Sequence, residues 1–252
     1  MRLLAFETST ERLSLAILNG DDMRVREIDA GQRHSELAIA ELTDLLAEAG
    51  CVLADLDAIA FGRGPGSFVG IRIACGLAQG LALGAGKPVV PVVTLMALAE
   101  QADSERVMVA VDARMGEFYI AAYRRSHTEA SGWHAVVVPM LARPDQLPVL
   151  DGTDWCGIGS AFDAPTLQTI LADRYSGTLE RVQAGALPSA THIARIATRQ
   201  LERAWMGSAF APGLATPLYL RNHVALTIDE RRVAKAAKDD NSQRVPLPDV
   251  AV

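Results

Sequence analysis

The chain has 252 residues, half of them apolar, and a formal net charge of −6, which supplies ample core material and excludes a polyanion binder that works through overall charge. Three widely spaced cysteines, Cys51, Cys75 and Cys156, exclude a disulfide framework and a CxxC zinc site. The opening MRLLAFETST lacks the apolar length of a signal peptide, and the run near 73–86, broken by Gln79, falls short of the roughly 20 residues of a membrane span, so a cytoplasmic chain with no membrane partner is expected.

In chain order, RLLAFETS reads as a strand, RLSLAILNG as a second ending in an Asn-Gly turn, and MRVREID as a third with period-two alternation. HSELAIAELTDLLAEAG then reads as a helix with Ala38, Leu42, Leu45, Leu46 and Ala49 on one face, stopped by Gly50. LDAIAFG is a short buried strand, a glycine-rich stretch leads into a helix from about Phe68 to Ala85, and KPVVPVV is a strand followed by a short helix. VMVAVDARMGEFYIAAYRR repeats the pattern of RLLAFETSTERLSLAILNG, with Asp112 in the place of Glu7. Further strands are expected near 133–140 and 155–158, and helices near 163–174 and 189–205. The class is α/β, a duplicated βββαβα plan in two lobes, 1–104 and 105–224, the second reduced, with its last helix a candidate to pack back on the first. Residues 225–252 mix both signs of charge with prolines and read as a loosely ordered tail.

The stretch FGRGPGSFVGIRIACGLAQGLALGAG poses the main functional question. It contains no GxxxxGK[ST], and Val69 occupies the third glycine's place after Gly64 and Gly66, so no GxGxxG either. Ser67 is placed to cap the helix that begins at Phe68. Within that helix Gly76, Gly80 and Gly84 each forgo about 1 kcal/mol relative to alanine. Advancing about 40° per step, they form one smooth stripe flanked by Val69, Ile73 and Leu83, while Ile71, Ala74, Ala78, Leu81 and Ala85 lie opposite and suit the sheet. The stripe serves either a close crossing with the helix at 34–49 or a partner. The preceding helix also carries Leu37, Ala40 and Ala47 away from its main apolar face, which favours the partner.

Other charged groups are less specific. Asp112, Arg114 and Glu117 form a charged site or a solvated turn. Arg33, His34 and Glu36 suit helix capping and surface pairing. The histidines at 34, 127, 134, 192 and 223 contain no HxxxH pair. The tail cations Arg231, Arg232, Lys235 and Lys238 alternate with acids and give little basis for a tRNA contact.

FETST, GQRHSE at 31–36, GRGPGSFVGIRI at 62–73, VDARMGEFY at 111–119 and PLYLR at 217–221 resemble, in this order, the bacterial TsaB (YeaZ) family of the actin, Hsp70 and sugar-kinase superfamily. The resemblance runs to about residue 224, with Glu7 where the family commonly has aspartate and Val69 where it commonly has threonine. It implies an actin-like fold and a noncatalytic partner of TsaD, which transfers threonylcarbamoyl to the adenosine next to the anticodon of tRNA; the ATPase TsaE joins them. The related catalytic subunit binds metal through two histidines four apart, and Thr94 and Leu98 stand at those places here, so neither a metal nor a catalytic residue is expected.

The resemblance further implies that the first two helices meet TsaD, or a second copy when TsaD is absent, through Leu37, Ala40, Ala47, Val69, Ile73, Gly76, Gly80, Leu83 and Gly84. tRNA would be met only through the complex. No cofactor is expected to bind stably; ATP or ADP belongs at a shared subunit boundary, with the turn residues Thr8, Ser9, Thr10 and Arg114 as nucleotide-facing candidates. An M22-like metallopeptidase, a small-molecule kinase and a homodimeric scaffold are the alternatives.

Overall fold

The computed structural model describes residues 1–203 and 210–221. Met1–Leu220 forms one compact unit, and Arg221 is the sole described residue of the second, Arg221–Val252. The expected tail at 225–252, with its cations and His223, lies outside the described residues.

Strand β1 (Arg2–Glu7) is buried from Leu3 onward, because alternate side chains enter two different cores. Leu4 and Phe6 face one, Leu3 and Ala5 the other. β1 pairs antiparallel with β2 (Arg12–Asn19), and β2 with β3 (Asp22–Asp29). On its other side β1 pairs in parallel with β4 (Ala58–Gly62), and β4 with β5 (Val89–Val92). The resulting order, β3-β2-β1-β4-β5, recurs in a second sheet of β6 (Arg106–Asp112), β7 (Phe118–Arg125), β8 (Trp133–Ala142), β9 (Trp155–Gly159) and β10 (Leu179–Ala184), ordered β8-β7-β6-β9-β10. The expected duplicated α/β plan is present.

Helices α1 (His34–Glu48) and α2 (Phe68–Ala85) cover the outer face of the first sheet. Helix α4 (Pro165–Arg174) covers the outer face of the second. Between the sheets lie α3 (Thr94–Gln101) and α5 (Ala190–Arg203): α5 buries Ile193, Ala194, Ile196 and Ala197 on the first sheet, while Leu95, Leu98 and Ala99 of α3 face the second. The second half is reduced because residues 143–154 carry a single 3-10 turn, Pro144–Gln146, where the first half has α1.

A buried ionic cluster ties α3 and α5 to the second sheet. The Glu100 carboxylate accepts from both Nη atoms of Arg199 (3.0 and 2.7 Å), from Trp133 Nε1 (2.7 Å) and from Arg125 (3.0 Å). Burial alone would raise this carboxyl, but hydrogen bonds from Arg199 and Trp133 and the charges of Arg199 and Arg125 hold it below its ordinary value. Arg125 also stacks over Trp133, 4.0 Å from the ring centre.

Several details differ from the sequence reading. β10 was not anticipated, since its mostly exposed LERVQA lacks apolar alternation. On α2 the buried face comprises Ile71, Ala74, Cys75, Ala78 and Ala82; Leu81 and Ala85 lie on its flank, only partly covered. His34 does not cap the surface of α1: it is buried, its Nε2 has no hydrogen-bond partner among the described residues, and Arg33 supplies no side-chain cap.

Candidate functional site

α2 is well delimited. Ser67 Oγ accepts the Gly70 N–H (3.3 Å) at its start, and Gly86 ends it in the left-handed region with φ 65°. Among the described residues α2 alone is long and apolar enough to cross a membrane. In this fold, that apolarity is divided between a face on the first sheet and an opposite face that nothing among the described residues covers. Among the described residues, a Cβ built at Gly76, Gly80 or Gly84 would meet no atom within 4 Å. The close crossing with α1 that the sequence allowed is therefore not made at these glycines. Val69 and Leu83, beside them, are 64% and 68% exposed, and Ile73 is half-buried.

α1 contributes less uniformly. Ala40 and Ala47 are exposed, but Leu37 is half-buried and packs on the core beneath the helix. Ile39, which the sequence reading passed over, is the large exposed apolar side chain of α1.

The chain's last described segment borders α2 on its other flank, in the opposite direction. Phe210 and Pro212 share a pocket with Ala82 and Gly86 at the end of α2. Farther along, the Ala215 carbonyl accepts from Gln79 Nε2 (2.9 Å) and from the Cys75 thiol (3.3 Å). Near the start of α2, Leu218 N–H donates to the Arg63 carbonyl (2.7 Å), and Tyr219 Oη accepts from Arg72 Nε (2.8 Å). This strap leaves Leu214 and Tyr219 exposed, Tyr219 beside Phe68. It has no apolar periodicity, so only the pattern PLYLR drew attention to it.

The glycine-rich loop before α2 has an inward role. Glu7 is fully buried; its Oε1 accepts the Ser9 N–H (2.6 Å) and its Oε2 the Thr94 hydroxyl (2.9 Å), while Thr94 Oγ1 accepts the Gly64 N–H (3.0 Å). A Cβ at Gly62 would overlap the Glu7 carboxylate, and Cβ atoms at Gly66 and Gly70 would overlap Ser9 and Thr8. Burial pushes the Glu7 carboxyl above its ordinary value against the lowering effect of these bonds.

The β1–β2 turn is thereby closed. Thr8 Oγ1 donates to the Gly70 carbonyl (2.8 Å) and Ser67 N–H donates to the Ser9 carbonyl (2.8 Å). Of the nucleotide-facing candidates, Thr8 is bonded to the protein's own loop, while Ser9 is buried beside it, its Oγ without a hydrogen-bond partner among the described residues. Thr10 is half-buried and accepts the Arg12 N–H (3.2 Å). Arg114 extends into solvent from a tight turn with φ 66°, and its N–H and guanidinium bond Asp112 (2.7 and 3.4 Å). Glu117 pairs with Arg143 at 3.6 Å. Thr94 is thus committed to the Glu7 network, and Leu98 is fully buried in the core between α3 and the second sheet. Among the described residues no group of His, Cys, Asp and Glu is arranged to hold a metal.

A family model described as TsaD, tRNA N6-adenosine threonylcarbamoyltransferase, matches residues 28–152. The chain is 37% identical over 234 residues to the tRNA threonylcarbamoyladenosine biosynthesis protein TsaB of Escherichia coli, covering 89% of this chain and 96% of that protein. With the protein of the same name from Haemophilus influenzae it shares 33% identity over 238 residues, covering 89% and 95%. A crystal structure from Pseudomonas aeruginosa, described as similar to the peptidase YEAZ, superposes with a TM-score of 0.77 at 33% identity over 87% of this chain and 99% of that one.

Proposed function

This chain belongs to the TsaB (YeaZ) family of tRNA threonylcarbamoyladenosine biosynthesis proteins, and on that premise we propose that it is a noncatalytic subunit that docks on TsaD through α1 and α2. The observation that carries this reading is the open strip of Gly76, Gly80 and Gly84. Glycines inside a helix sacrifice stability, and here no atom of the described residues uses the space they leave. A partner helix laid along the strip would approach the α2 backbone closely and cover Val69, Ile73 and Leu83, with Ala40 and Ala47 at its margin.

The chemistry belongs to the partner. Thr94 and Leu98 are tied to internal roles, which supports a subunit that positions TsaD rather than acting on substrate. TsaE completes the assembly, tRNA is met through the complex, and without TsaD the same strip pairs two copies of this chain in the cytoplasm. The closed Thr8–Ser9 turn supports placing ATP or ADP at the boundary with the partner and not within this chain.

Replacing Gly80 by arginine tests the proposal. With Gly80→Arg the folded chain no longer co-elutes with TsaD in gel filtration, and reconstituted threonylcarbamoyl transfer to tRNA is lost. Assembly and transfer at wild-type levels would refute the docking site.

A further inference from the structure

Arg72 stands on α2 at the rim of the open strip, within one turn of Val69, Ile73 and Gly76. Its guanidinium carbon lies 3.6 Å from the centre of the Phe68 ring. Its Nε donates to Tyr219 Oη (2.8 Å), and the Phe68 and Tyr219 rings pack 5.8 Å apart. Both aromatics remain partly open to solvent, at 36% and 45%. Helix and strap thus hold one exposed guanidinium in a fixed plane.

That guanidinium has unused capacity. Among the described residues no carboxylate lies within ion-pair distance of Arg72, and its Nη1 and Nη2 make no hydrogen bond. Arg26 and Arg199, by contrast, are engaged with Glu41 and Glu100. An arginine stacked on one face and bonded at Nε has already lost much of its rotamer freedom, so a ligand for its outer fork avoids that ordering cost. The positive end of the α2 dipole adds to the same potential.

We infer that Arg72 is the electrostatic anchor of the docking surface, its outer fork taking a carboxylate from an aspartate or glutamate of the docked TsaD subunit. The inference rests on the docking reading above and names what fixes the register of that contact. A protein carboxylate is favoured over an RNA phosphate by the setting. Arg72 borders an apolar strip, a chain of charge −6 offers little general attraction for RNA, and RNA backbones are held by several cations together. An arginine walled by aromatic rings is also the composition in which interface energy concentrates.

The test measures the dissociation constant of the full-length chain for TsaD across a salt series, for Arg72→Gln, Arg72→Lys, Tyr219→Phe and Gly80→Arg, with thermal melts of each variant. Arg72→Gln weakens binding by about 30-fold and flattens its salt dependence, while its melt falls only slightly, since the stacking and the Tyr219 bond it gives up are surface contacts. Arg72→Lys restores only part of the affinity, since an ammonium lacks the planar fork. Tyr219→Phe, which keeps both rings and the charge, weakens binding several-fold by releasing Nε. If Arg72→Gln matches wild type in affinity and salt slope while Gly80→Arg blocks assembly, the anchor is refuted and the docking site stands. If Gly80→Arg also assembles normally, the docking reading has failed as well. If Arg72→Gln preserves assembly but weakens binding of an anticodon stem-loop to the complex, the anion is RNA and the inference is overturned.

Discussion

Converting Gly76, Gly80 and Gly84 together to alanine should separate folding from assembly. All three positions are helical, and the added Cβ atoms would meet nothing within 4 Å, so the substitutions introduce neither strain nor overlap. Each recovers about 1 kcal/mol of helix propensity, about 3 kcal/mol in all. For a protein of this size about 1 kcal/mol corresponds to about 2–4 °C in melting temperature, so a rise of about 6–12 °C is expected. The same methyl groups would hold a partner helix off the α2 backbone, and affinity for TsaD should fall. Circular-dichroism melts at several protein concentrations, which expose any contribution of self-association, and calorimetric titration with TsaD measure the two effects. Unchanged or reduced stability would mean that the chain itself relies on these glycines. Increased stability with full affinity would mean that no partner lies along the strip.

Two carboxyls give opposite pH signatures. The raised pKa of Glu7 means that the folded state keeps its proton to higher pH than the unfolded one, so its contribution is complete below the ordinary value of 4.5 and is lost as pH rises through the folded pKa. Urea denaturation across pH should show that decline flattened in Glu7→Gln; an identical slope would refute the assignment. Glu100 works in the other direction, stabilising above 4.5 and losing that contribution as pH falls through its lowered folded pKa. Glu100→Ala strands the partly exposed Arg125 and Arg199 and should cost about 3 kcal/mol at neutral pH by the same assay. A loss no greater than that of an exposed surface pair would show that the cluster does not hold α3 and α5 to the second sheet.

Much of this architecture was legible because its signals are local. Alternation in RLLAFETS, the Asn-Gly turn and the Gly50 stop mark elements that need no distant information. β10 escaped because it is an edge strand with largely exposed side chains, paired with β9 and anchored in the core by Leu179. The glycine stripe of α2 was readable as periodicity, but whether it faced α1 or solvent depended on packing. Leu37 depends on packing in the same way: the wheel places it off the main apolar face, and the structure leaves it half-buried on the flank of α1. The strap was least accessible, since its bonds to Gln79, Cys75 and Arg72 join residues about 140 positions apart, a separation that leaves no periodic trace.

Those long separations bear on the order in which the molecule is made. The sheet that begins at Arg2 receives one of its two covers from α5, and one flank of α2 is fastened by residues between 210 and 219. A ribosome delivers both long after α1 and α2 have emerged. The strip that we propose as the seat for TsaD is therefore finished late, and a nascent chain that has made only α1 and α2 lacks the phenol that steadies Arg72.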